Sequence, residues 1–61
     1  MVNEVIDKIK SKCLEIRKVG DSHYSIVVDK YNLNAVENLL KDNGAVLQFA
    51  YGSFIHIDVK F

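Results

Sequence analysis

Apolar and polar residues alternate with two different periods along this chain. Near the start, Val2, Val5, Ile6, Ile9, Cys13 and Ile16 fall within one stripe about 100° wide at helical spacing. The pattern predicts a first helix over residues 3–18. Glu4 and Asp7 lie in its first turns and Arg17 and Lys18 in its last, as the helix dipole favours. Gly20 stands where a left-handed residue would end it, and Leu14 falls on the exposed side.

The period then shortens. "HYSIVVD", residues 23–29, is rich in β-branched and aromatic side chains and lies between two polar segments, so it predicts a strand. Val36, Leu39 and Leu40 restore a helical stripe over roughly 35–43, with Asn34 and Glu37 spaced as a capping box and a stop at Asn43-Gly44. Glu37 and Lys41 stand four apart on its outer side, in the favourable order.

"AVLQFAY" and "FIHIDVKF" flank Gly52-Ser53, the pattern of a hairpin with a two-residue type II′ turn. That loop length sets Phe49 opposite His56, Gln48 opposite Ile57 and Leu47 opposite Asp58. Val46, Gln48, Ala50, Ile55, Ile57 and Val59 then share a mostly small, aliphatic face suited to carrying helices. Leu47, Phe49, Tyr51, Phe54, His56, Asp58 and Lys60 share the other. The last strand is the longest and apolar on both sides, which places it at the centre of the sheet.

The expected fold is therefore α/β (α+β). It is a two-layer sandwich of order α-β-α-β-β, a three-stranded mixed sheet with a C-terminal β-hairpin and two helices on one face. Residues 1–61 form a single small domain. A domain of this size buries only about 60 % of the surface its unfolded chain exposes, so self-association is one route to added stability. Apolar residues make up 49 % of the chain and charged residues 26 %, a globular composition.

Charge and candidate chemistry narrow the function by exclusion. Eight basic residues balance eight acidic ones, so no net field draws the chain to nucleic acid or an anionic membrane. No stretch has the length of a membrane span, and the amino terminus lacks the apolar run of a secretion signal, which predicts a cytoplasmic protein without a membrane partner. An excess of Lys over Arg with abundant Ile and Asn fits an AT-rich genome, as in many bacteria, phages and mobile elements.

The single Cys13 makes no internal bridge and belongs to the core stripe as a small hydrophobe. His56 and Asp58 share a strand face, but Lys60 continues their row, the pattern of a solvated rim. No cysteine and histidine set has metal-ligand spacing, the three glycines are scattered turn and cap residues, and no serine lies in a nucleophile motif. These patterns predict no enzyme, no cofactor and no metal.

The aromatic sheet face remains. Leu47, Phe49, Tyr51 and Phe54 with His56 and Lys60 resemble an interface core with a polar rim. The functional expectation is a small non-enzymatic protein-binding module, an inhibitor or adaptor whose partner includes a second copy of itself in a homodimer. The alternative is a single-stranded nucleic-acid-binding protein that stacks bases on the same face and contacts phosphates through the lysines of the first helix, Lys8, Lys10, Lys12 and Lys18.

Overall fold

The computed structural model describes residues 2–61. Helix α1, Val2–Ile9, buries Val5, Ile6 and Ile9 and ends in a single 3₁₀ turn, Lys10–Lys12. Cys13 is already extended, at φ −107° and ψ 145°. Strand β1, Glu15–Gly20, follows and turns tightly into β2, His23–Val28. Helix α2 spans Leu33–Asp42, and β3, Val46–Ala50, and β4, Ile55–Lys60, close the chain.

The four strands form one sheet in the order β1-β2-β4-β3, with every neighbouring pair antiparallel. This corrects the expected three-stranded mixed sheet of order α-β-α-β-β. The first helix does not reach residue 18, because residues 15–18 belong to the edge strand β1. The apolar spacing hid this, since Ile16 faces the core in either conformation: it lies seven residues, two helical turns, after Ile9, and as a strand residue it pairs with Ile26 on the helix side. Strand pairing decides the matter by satisfying the outer main-chain groups of β2, a buried strand that would otherwise leave a row of donors and acceptors unpaired. Gly20 pairs with His23, so Asp21-Ser22 is a two-residue hairpin turn rather than the end of a helix.

The second correction concerns register. β3 and β4 pair Val46 with Lys60, Leu47 with Val59, Gln48 with Asp58, Phe49 with Ile57 and Ala50 with His56. The connection is longer than a two-residue turn, because residues 51–54 all lie outside the strands and Gly52 has no positive φ. A shift of one position sends every β3 side chain to the opposite face. Leu47 and Phe49 therefore point to the helices, and Val46, Gln48 and Ala50 point away from them. β4 is an inner strand, as expected, but it shares that place with β2, and only one of its faces is apolar: Ile55, Ile57 and Val59 are buried while His56 and Lys60 are exposed.

Both helices cover one face of the sheet. Val5, Ile6 and Ile9 of α1 and Val36 and Leu40 of α2 meet Tyr24, Ile26 and Val28 of β2 and Ile55, Ile57 and Val59 of β4 in a single core. No polar or charged side chain is buried among the described residues, so the core carries no desolvation cost of that kind. Phe61 adds an edge-to-face contact with Tyr24, ring centroids 6.0 Å apart. Helix α2 starts two residues before its expected first residue: Asn32 occupies the cap, and its N–H donates to Asp29 Oδ1 at 3.0 Å. Gly44, at φ 81°, supplies the left-handed residue that ends it. No helix among the described residues is long and apolar enough to cross a membrane.

Candidate functional site

The six residues expected to form one partner-binding face do not share a face. Leu47 and Phe49 are half-buried on the helix side, His56 and Lys60 are exposed on the open side, and Tyr51 and Phe54 belong to the β3–β4 loop. The open face has no Phe or Tyr along its strands. Arg17, Ser25, Asp58 and Gln48 form one row across the four strands, and Glu15, Val27, His56 and Ala50 the next. With carboxylates and cations interspersed, this face is a mixed polar surface and lacks the rings that a base-stacking platform needs.

Asp58 finds its partner on the neighbouring strand rather than in His56. Its Oδ1 lies 2.5 Å from His23 Nε2, diagonally across the β2–β4 pair, with both side chains about one-third exposed or more (35 % and 41 %). Ser25 stands directly opposite Asp58, but its hydroxyl makes no hydrogen bond to the imidazole, so no nucleophile is joined to this pair. No group of three or more His, Cys, Asp or Glu residues is placed to hold a metal ion among the described residues.

Cys13 packs against the core at partial exposure, and desolvation raises its thiol from 9.0 to about 11. A thiol shifted in this direction is a poor nucleophile at neutral pH, in keeping with a packing role.

Exposed apolar surface gathers instead at one end of the sheet. The chain leaves β2 through residues 29–32 and leaves β3 through residues 51–54, and both loops emerge at this end because Val28 pairs with Ile55. Between them lies a cleft of about 470 Å³ lined by Asp29, Lys30, Tyr31, Tyr51, Gly52, Ser53, Phe54 and Ile55. Tyr31 is 85 % exposed, Tyr51 72 % and Phe54 52 %. Tyr51 stacks on Phe49, centroids 6.0 Å apart and planes within 16°, so its ring is braced by a half-buried neighbour. Lys30 Nζ lies 5.8 Å from the centroid of Tyr31. Asp29 is held by the turn it caps, through the N–H of Asn32.

Sequence reasoning reached Tyr51 and Phe54 but placed them on a strand face, and it missed Tyr31. The available signal was the aromatic in the polar run "DKYN", a ring in a turn with no core to fill. Comparison of the chain with protein families, curated proteins and solved structures gives no match.

Proposed function

We propose that this chain is a non-enzymatic protein-binding module, an adaptor or inhibitor, that engages an apolar segment of another protein in the cleft between the loops at residues 29–32 and 51–54. The observation that carries the reading is the convergence of three exposed aromatic rings, Tyr31, Tyr51 and Phe54, on that one cleft. Exposed apolar side chains scattered singly need no explanation, whereas a cluster beside a concave surface is the arrangement that binding uses. Tyrosine suits the role because it offers a large apolar area with a hydroxyl at its tip and few rotatable bonds.

Single-stranded nucleic acid is the weaker reading. Among the described residues Lys30 is the only basic one lining the cleft, and Asp29 lines it as well. Lys8, Lys10 and Lys12 lie on α1 and its 3₁₀ turn and do not line the cleft. A homodimer has no aromatic sheet face on which to form, so self-association must use another surface.

Selection of binders from a peptide-display library on the immobilised protein tests the reading. Recovered peptides should carry aromatic or aliphatic anchors, and their affinity should fall roughly tenfold or more with Tyr51→Ser or Phe54→Ser, as expected for loss of a buried aromatic contact. Failure to recover peptides, combined with oligothymidine binding that weakens steeply as salt rises, would move the function to nucleic acid.

A further inference from the structure

The sheet has two edges, and they are built differently. β1 carries Glu15, Arg17 and Lys18, and its register slips between Lys18 and Gly20. Charged side chains and an irregularity of this kind are what keep an edge strand from pairing with another chain. β3, Val-Leu-Gln-Phe-Ala, has no charge and no irregularity, and Val46 is 67 % exposed.

Two hydrogen bonds fix which way the main chain of β3 points. The N–H of Phe61 donates to Ser22 O at 2.9 Å, one step beyond the His23–Lys60 pair. In an antiparallel ladder the bonding residues alternate. The odd-numbered residues of β4, Ile55, Ile57 and Val59, therefore bond to β2. The N–H of Leu14 donating to Val27 O at 2.8 Å agrees, since it turns Val27 toward β1 and leaves Ile26 and Val28 to bond Ile57 and Ile55. The even-numbered residues His56, Asp58 and Lys60 then bond to β3, at Ala50, Gln48 and Val46. What remains is the N–H and C=O of Leu47 and of Phe49, aimed outward, and no other main-chain group among the described residues bonds to them.

We propose that two copies of this chain join through β3, antiparallel about a two-fold axis at Gln48, into one continuous sheet. In that register Leu47 of each copy stands opposite Phe49 of the other, and each of these two pairs exchanges both of its main-chain hydrogen bonds. The same register is complementary in side chains. Leu47 and Phe49, half-buried at the rim of the helix-covered core, meet their counterparts and carry that core across the seam. On the open side Val46 meets Ala50 of the second copy, and Gln48 meets Gln48, whose amide both donates and accepts. No like charges oppose one another at any position. A second copy satisfies the isologous requirement because the five-residue strand is apolar symmetrically about its centre. No residue of β3 lines the aromatic cleft, although Phe49 stacks on Tyr51 at its edge, and the proposal stands whether or not the cleft binds a partner.

Sedimentation equilibrium over a range of concentrations, together with oxidative cross-linking, tests the proposal. The wild-type chain should reach a dimer as concentration rises. Gln48→Lys, an exposed position on the open face, should weaken that dimer by roughly tenfold or more by setting two ammonium groups against each other, with the far-ultraviolet circular dichroism of the monomer unchanged. In a Cys13→Ala background, Gln48→Cys should form a covalent dimer under mild oxidation, since residues of a non-hydrogen-bonded pair are close enough for a disulfide, and Lys41→Cys on α2 should not. A wild-type chain that stays monomeric at its highest soluble concentration would overturn the proposal. So would a dimer that Gln48→Lys leaves intact and Gln48→Cys fails to cross-link.

Discussion

Phe49 stands opposite Ile57, on the side of the sheet that the helices cover. This pairing makes Phe49 part of the rim of the core, and truncating it should therefore be felt in stability. Phe49→Ala should cost about 1–3 kcal/mol, less than a fully buried phenylalanine because the ring is only half-covered. His56→Ala, on the exposed face, should stay within about 0.5 kcal/mol of wild type. Urea unfolding of the two variants checks this, and the reverse ranking would mean that the β3–β4 register is the other one.

Of Gly44 and Gly52, only the first needs to be glycine. Gly44 has φ 81°, whereas a Cβ at Gly52 would meet nothing closer than Phe54 O at an ordinary 3.7 Å. Gly44→Ala should lower stability by about 1 kcal/mol, and Gly52→Ala should be neutral or slightly stabilising. Thermal melts of both variants give the comparison, and equal losses would place Gly52 in a left-handed turn after all.

The Cys13 thiol is raised from 9.0 to about 11 by desolvation. The folded state therefore holds this proton more tightly than the unfolded chain. The associated stability is fully present below pH 9 and is lost as pH rises through about 11. The stability difference between wild type and Cys13→Ala should narrow over that window. Folded protein should also react with a thiol reagent at pH 8 more slowly than the same protein in urea. Equal labelling rates would contradict the packed environment.

The His23–Asp58 pair lies on the polar face at partial exposure. A double-mutant cycle with His23→Gln and Asp58→Asn should return a coupling of about 0.2–1 kcal/mol, the range of solvent-screened pairs. A coupling of several kcal/mol would show that the pair is shielded from water, which would reopen a chemical role for it.

Much of this molecule follows from local pattern. The alternation in "HYSIVV" and "FIHIDVKF" and the stripe of Val36 and Leu40 determine which side chains of β2, β4 and α2 are buried, because period and burial are set by the geometry of one element at a time. The stop at Gly44 follows for the same reason. Strand β1, Glu15–Gly20, and the register of β3 were decided only by tertiary structure. Ile16 reaches the core as helix or as strand, and the deciding term is the pairing demand of β2, a partner distant in conformation if not in sequence. β3 has apolar residues on both faces, so its own pattern is compatible with either register. The length of the 51–54 loop and the contact of Leu47 and Phe49 with the helix-covered core choose between them. The candidate site inherits that dependence, since Tyr31, Tyr51 and Phe54 are brought together by the pairing of Val28 with Ile55, and no local segment contains all three.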